Sequence, residues 1–301
     1  MNLRASILKT LYRAIPFSLK GDAQVPPDEP RLELSCVINF YGRIHLLEGI
    51  LFSLAEQTME KNRFEVILIE DRNGTKEGRE TAEKFQSKLN IRYFPLTENF
   101  GVMGYSRNFG LLKTQGRYVL FLDDDTVILQ PDFLTTLIDE FKATDADGIV
   151  PRGNAAYCLV KERYDFHDPY FPTSRCAAYQ KTTLRELSGF VSEMIGQEDV
   201  EFVIRFIAMG KQFHNSKNLS YFHPPLIFNT ISKSASVGLS FAKLRKRYPT
   251  AIWLMLLING LRYLPFALVP LTTKWKMQGR FSLGFLLGIV YSLTKKRVNY
   301  S

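Results

Sequence analysis

Cysteine is scarce in this chain. Its three copies, Cys36, Cys158 and Cys176, are widely spaced, odd in number and form no C-x-x-C pair. That excludes a disulfide framework and a zinc ribbon, and it suits a reducing compartment. Long uninterrupted apolar runs are missing too. AIWLMLLINGLRYLPFALVPL, from Ala251, is broken by Asn259, Arg262 and two prolines, and FSLGFLLGIVYSL, from Phe281, supplies only thirteen residues before Lys295-Lys296-Arg297 comes near. A bilayer-spanning helix needs about 20 predominantly apolar residues, so neither segment is expected to cross. A secretory leader is not expected either, because the run from Leu3 to Leu19 is interrupted by Lys9 and Arg13 and no small-residue cleavage site follows. Acidic residues stop altogether at Glu201.

That last absence organises the rest. Residues 1–201 hold 24 Lys and Arg against 30 Asp and Glu, a net of −6, whereas residues 202–301 hold 15 Lys and Arg and no acid. The overall charge of +9 therefore hides an acidic part suited to holding metal and a basic part suited to meeting something anionic. With 46% hydrophobic residues over 301 positions, the chain can bury a large core and is not disordered.

Three regions are expected. Residues 1–30 place Leu3, Ile7, Leu8, Leu11 and Ile15 at helical spacing with Arg4, Lys9 and Arg13 offset from them, which reads as a basic amphipathic helix; the proline-rich DAQVPPDEP then reads as a linker. Residues 31–230 alternate apolar strands (LSCVIN, FEVILIE, IRYF, RYVLFL) with helical patterns (HLLEGILFSLAEQ, KEGRETAEKFQSKL, GVMGYSRNFGLLKTQ). Such alternation predicts an α/β fold with a mostly parallel sheet. Ligands of these sheets bind outside the carboxyl ends of the strands, where NFYG, EDRNG and DDDT all fall. Residues 231–301 form a basic, apolar, helical extension.

YVLFLDDDTVIL, Tyr118 to Leu129, carries the sharpest chemical signal. Two unit charges about 4 Å apart at an effective dielectric near 20 repel by roughly 4 kcal/mol, so three carboxylates at the mouth of a buried strand need something positive. An aspartate-rich turn is one reading; a divalent cation on hard oxygen ligands is the other.

In order along the chain, NFYG, FEVILIEDRNGT, NFGVMGYSRNFG, YVLFLDDDT, SGF and GQEDVEF resemble the inverting family 2 glycosyltransferases of GT-A fold, over about Leu34 to His223. The resemblance implies a nucleotide-diphospho-sugar transferase fold and a role for each motif. Asn39 and Tyr41 fall in the loop whose aromatic ring stacks on the donor base, with Asn39 and Gly42 departing from the family's usual residues there. Asp71 matches the carboxylate that accepts from a uracil N3–H, and Arg107 lies on the helix that serves the donor site. Asp123 and Asp125 are the D-x-D pair that holds Mn²⁺ or Mg²⁺, while Asp123 and Asp124 help to position the ribose. Asp199 is the implied general base, with Glu198 as its substitute, and His223 in YFHPP matches a histidine near the metal.

Taken together, the expected protein is a metal-dependent inverting glycosyltransferase at the cytoplasmic face of a membrane. It would use a nucleotide sugar, with a UDP-sugar favoured, and a glycan or polyprenyl-diphosphate-linked glycan acceptor in the synthesis of cell-surface polysaccharide or glycoconjugate. The cationic borders of the two apolar C-terminal stretches fit an anionic membrane surface, and charges interleaved with so many Leu, Ile and Phe do not fit nucleic acid. An ordinary helical subdomain packed on the sheet is the alternative for that region. For the whole chain the alternatives are a sugar-phosphate nucleotidyltransferase, or a non-catalytic membrane or nucleic-acid binding module retaining the fold.

Overall fold

Strands in the first half of the protein are apolar on both sides, and the computed structural model shows why. It describes residues 20–27, 29–156, 163–165, 176–196, 198–223, 231–243, 245, 248–269 and 272–294, with Thr10 and Ala14 besides. The amphipathic helix expected near the N-terminus otherwise lies outside the described residues, as does Cys158.

β1 (Leu32–Phe40), β2 (Phe64–Glu70), β3 (Ile91–Pro95) and β4 (Gly116–Asp123) pair in parallel in the order β3-β2-β1-β4. Helices α1 (Ile44–Ala55), α2 (Lys76–Phe85) and α3 (Met103–Lys113) connect them, and α4 (Phe133–Ala143) follows β4. Because side chains alternate across a strand, Cys36, Ile38, Leu68 and Leu122 face α1, α2 and α4 in one core. Val37, Ile67, Val119 and Phe121 face the opposite way into a second core, with Leu111 of α3. A sheet covered on both faces needs apolar residues at successive positions.

Beyond β4 the sheet becomes mixed. β7 (Cys176–Gln180) runs antiparallel to β4, and β5 (Gly148–Ala156) pairs with β7, with β6 (Arg163–Asp165) and with β8 (Phe213–His223). Helices α5 (Lys181–Glu186) and α6 (Glu198–Ala208) follow β7, and α6 adds Phe202 and Phe206 to the second core. The helix-flanked α/β sheet is the one that the strand and helix pattern predicts, parallel through β3-β2-β1-β4, and the antiparallel pairs of β7, β5 and β6 extend it.

Part of the proline-rich stretch after residue 20 is seated on the domain. Gly21 and Ala23 donate backbone hydrogen bonds to the carbonyls of Leu187 and Ser188, and Ala23 and Val25 are buried.

The C-terminal segment forms α7 (Ile231–Lys243), α8 (Thr250–Leu261), a short 3-10 turn (Leu264–Ala267) and α9 (Thr273–Ser292). Val237, Phe241, Leu256 and Phe285 from these helices pack on Val203, Ile204 and Ile207 of α6 and on Val191 and Met194 before it. Backbones approach closely where α9 crosses α7: a Cβ on Gly288 would sit 1.9 Å from the Ala235 carbonyl oxygen. Among the described residues no helix is long and apolar enough to cross a membrane.

Candidate active site

The strand register brings the predicted motifs to one level. Asn39 of β1 lies opposite both Ile69 of β2 and Asp123 of β4, and Phe40 lies opposite Glu70. Three carboxyl ends are therefore flush, and the loops that leave them share one crevice.

At its centre, β4 ends in Asp123 and turns through Asp124 and Asp125. Thr126 N–H closes the turn on the Asp123 carbonyl. Two residues past Asp125, Val127 exchanges a pair of backbone hydrogen bonds with Phe222, each 2.8 Å. That bridge delivers the next residue of β8, His223, to the aspartates: its Nε2 stands 2.9 Å from Asp125 Oδ1 and 3.7 Å from Asp123 Oδ2. Ligand atoms of Asp123, Asp125 and His223 all fall within 4.8 Å of one another. Burial alone would raise the Asp125 pKa, but His223 and, to a lesser degree, Arg43 together outweigh it and hold the carboxyl below its ordinary range.

Asp124 points elsewhere. It is buried, and burial pushes its carboxyl up to about 7 against the pull of Arg43. Arg43, which enters α1 with a left-handed φ of 47°, reaches both Asp124 Oδ1 (2.5 Å) and Asp125 Oδ2 (3.0 Å). Sequence reasoning missed this residue. The available signal was a cation directly after the NFYG loop, at the end of a strand adjacent to β4.

Arg107 joins the two halves of the crevice. Its side chain is buried on α3, with Nε donating to Glu198 Oε1 at 2.8 Å and Nη2 to Asp123 Oδ1 at 3.4 Å. Glu198 is thereby held inside the protein, where burial and then the neighbouring Asp199 charge push it up to about 7. Asp199, next on α6, is partly exposed. The first turn of α6 carries Glu198, Asp199 and Glu201, where the helix dipole favours anions. Glu201 faces inward to a bidentate pair with Arg205 (2.6 and 2.8 Å), and Arg205 also donates to the Leu187 and Gly189 carbonyls. Arg205 thus fixes the SGF loop, a structural task.

At the end of β2, Asp71 Oδ2 accepts from Gly101 N–H at 2.8 Å, tying the EDRNG turn to the loop before α3, while its buried Oδ1 has no hydrogen-bond partner. Asn39 Nδ2 donates to Ser106 Oγ at 2.5 Å, and Asn39 Oδ1 is likewise buried and unpartnered. Tyr41 is half exposed, with the Arg72 guanidinium 4.7 Å from its ring centre. Glu70 is structural, accepting from Thr75 and from Tyr93 Oη below the crevice.

Buried polar atoms are nearly always hydrogen-bonded, yet Asn39 Oδ1, Asp71 Oδ1, Asp124 Oδ2 and Arg107 Nη1 have no partner here. All four belong to residues of the same strand-end crevice, as expected of a polar ligand site. Over residues 35–199 the chain matches the profile of Glycosyl transferase family 2. The chain belongs to that family.

Relatives agree with the assignment. A Staphylococcus aureus poly(ribitol-phosphate) β-N-acetylglucosaminyltransferase, TarS, is 33% identical over 97 residues, which are 32% of this chain and 17% of that protein. The chain thus matches about a sixth of that relative's length. An Escherichia coli UDP-Gal:α-D-GlcNAc-diphosphoundecaprenol β-1,3-galactosyltransferase is 29% identical over 192 residues, covering 56% of this chain and 66% of that one. Among solved structures, the Pyrobaculum calidifontis mannosyltransferase PcManGT, in complex with GDP-Man and Mn²⁺, superposes with a TM-score of 0.63 at 14% identity over 96% of this chain and 93% of that chain. The 1–349 fragment of S. aureus TarS with UDP-GlcNAc superposes with a TM-score of 0.58 at 19% identity, over 86% and 82%. At these identities the superpositions establish the GT-A fold.

This family 2 crevice also has the chemistry for a divalent metal. Asp123 and Asp125 supply hard oxygens and His223 a nitrogen, all within one coordination sphere's reach.

Proposed function

We propose that the protein transfers a sugar, with inversion, from a UDP-sugar to a hydroxyl of a glycan or polyprenyl-diphosphate-linked glycan, for cell-surface glycoconjugate synthesis at the cytoplasmic face of a membrane. The observation that carries this reading is the convergence of Asp71, Asp123, Asp125, His223 and the Arg107–Glu198–Asp199 group on one strand-end crevice whose buried oxygens are unsatisfied. Support for the UDP donor and the lipid-linked acceptor comes from the E. coli relative, whose name carries both, and from the TarS complex with UDP-GlcNAc. The acid-free basic C-terminal hundred residues support the membrane location.

Asp71 Oδ1 accepts from the uracil N3–H, and the exposed face of Tyr41 takes the base. Asn39 and Asp124 line the ribose side, and Arg107 fixes Asp123 in its working orientation. Asp123, Asp125 and His223 are the residues for Mn²⁺ or Mg²⁺, which when bound supplies positive charge to the departing diphosphate. Asp199 takes the acceptor hydroxyl proton as that oxygen bonds to the anomeric carbon. The bond from that carbon to the diphosphate oxygen breaks with its electron pair, so UDP leaves in a single displacement. Glu198 stays on Arg107 and holds the start of α6 in place.

A panel of nucleotide sugars and nucleotides, read by thermal stabilisation with and without Mn²⁺, tests the reading. Stabilisation by UDP and a UDP-sugar only with metal is expected. Preference for GDP overturns the uracil assignment, and pyrophosphate release from a nucleoside triphosphate plus sugar phosphate overturns the transferase reading.

A further inference from the structure

Exposed apolar side chains are unevenly distributed. Of the sixteen large ones among the described residues, ten lie between Ile231 and Leu293. The same stretch of sequence, residues 231–301, carries twelve Lys and Arg and no acid. Exposed apolar patches bordered by charge mark interaction surfaces, and this stretch supplies only cations to its own border.

The helices display these residues in stripes. On α8, Leu254 and Ile258 lie one turn apart and point away from the face that buries Leu256. On α9, Gly284 and Gly288 are pressed against α7, and the outward face reads Lys276, Arg280, Leu287, Tyr291 at helical spacing, cationic first and apolar after, with Val290 beside them. Leu268, 86% exposed, stands at the corner between the two helices. In sequence, Lys295-Lys296-Arg297 follows directly, so the apolar part of α9 has cationic borders at both ends.

We propose that the outward faces of α8 and α9 seat in the interface of an anionic bilayer. The helices lie in the plane of the headgroups, Leu254, Ile258, Leu268, Leu287 and Val290 enter the acyl boundary, and the Lys and Arg side chains meet lipid phosphates. The charge decides the occupant. A second copy docked face to face would oppose two surfaces built from an acid-free segment and repel, and nucleic acid gives the apolar stripes nothing to bury against. Crossing is ruled out for the described helices by their length and composition. The proposal rests on the transferase reading only for its consequence, which is delivery of the crevice to a lipid-borne acceptor.

Flotation of the full-length protein with vesicles of phosphatidylcholine alone, or with 30 mol% phosphatidylglycerol, tests it. Wild type is expected to float with the anionic vesicles in 0.1 M NaCl, several-fold less in 0.5 M NaCl, and little with neutral ones. The triple variant Leu268→Glu, Leu287→Glu, Val290→Glu should lose at least about tenfold in bound fraction at either salt, and Lys276→Gln with Arg280→Gln should lose binding mainly at low salt. Should the triple variant misfold, Leu254→Glu with Ile258→Glu gives the same reading from α8. Flotation unchanged in the folded variants overturns the proposal, as does failure of wild type to float. So does a wild-type dimer that the same substitutions dissociate, or capture by an acidic polypeptide in preference to vesicles. Metal-dependent UDP binding is measured on every variant and should not change; its absence in wild type counts against the transferase reading and leaves the lipid result standing by itself.

Discussion

The Arg43 guanidinium bonds the buried Asp124 carboxylate at 2.5 Å and, through its other terminal nitrogen, Asp125 at 3.0 Å. One cation from the loop after β1 thereby binds together neighbouring carboxylates of the loop after β4. Glycine-like backbone at two successive positions, Gly42 at φ 59° and Arg43 at φ 47°, turns the chain sharply enough for the side chain to reach across. The contact supplies part of the positive charge that three adjoining aspartates require.

Replacing Arg43 with Gln is therefore expected to destabilise the protein by about 1–3 kcal/mol, the usual cost of stranding a buried polar group. Urea unfolding measures it. Saturating Mn²⁺ should recover part of the loss, because a ligand that binds only the folded state stabilises it. An unchanged urea midpoint without metal would mean that the pair contributes nothing.

Asp125→Asn and His223→Gln remove one proposed metal ligand each while keeping shape. Both should fold, since neither leaves a void, and both should weaken Mn²⁺-dependent UDP stabilisation, with the aspartate change the larger because it also removes a charge. Calorimetric titration of UDP with and without Mn²⁺ checks this. Equal affinity in wild type and both variants would place the metal elsewhere.

How much of this was legible beforehand differs by element. The parallel strands and their helices could be read because each strand is a short apolar run and each helix carries its own period, as FEVILIE and KEGRETAEKF show. DDDT could be read because local sequence places it at a strand end. The nearness of His223 rested on family resemblance alone, since the Val127–Phe222 bridge joins residues 95 positions apart and nothing local encodes such a pairing. Arg43 was overlooked for a related reason: a left-handed non-glycine residue leaves no mark in hydrophobic patterning. The C-terminal apolar stretches allowed two readings, membrane helix or packed subdomain, and composition could not separate them, because Phe285 and Leu287 look alike in sequence while one is buried and the other half exposed.

Gly104 lies on α3 one turn before Arg107, and its N–H donates to the Met194 carbonyl at 2.9 Å. A Cβ there would stand 2.0 Å from the Val191 carbonyl oxygen. Backbone on both sides cannot yield as a flexible side chain does, so Gly104→Ala should push α3 off the SGF loop at a cost of about 1–3 kcal/mol. The distinguishing readout is UDP affinity, which should fall along with stability because Arg107 moves with the helix. Full affinity in a destabilised variant would show that the donor site does not depend on this contact.

Glu198 and Asp199 are adjacent acids with different surroundings, one buried and one partly exposed. Glu198 is buried on Arg107 and raised from 4.5 to about 7 by burial and by the Asp199 charge. A raised folded-state pKa means that the folded protein holds this proton when the unfolded chain has released it. The associated stability is present below about 4.5 and is lost as pH rises through about 7. Glu198→Gln stays neutral throughout and keeps a carbonyl oxygen for Arg107, so its stability should fall less steeply than wild type between those pH values. Asp199→Asn should shrink that pH dependence of stability without abolishing it, because the Asp199 charge is gone while burial, the larger cause of the Glu198 shift, remains, and the variant should bind UDP with almost unchanged affinity. Its transfer rate, however, should drop at least about 100-fold, the low end of what a general base contributes. Urea titrations from pH 4 to pH 8 and initial rates at saturating donor supply both readouts on the same two variants. If the rate loss instead follows Glu198→Gln while Asp199→Asn turns over normally, the two roles are reversed, and the buried acid on Arg107 is the base.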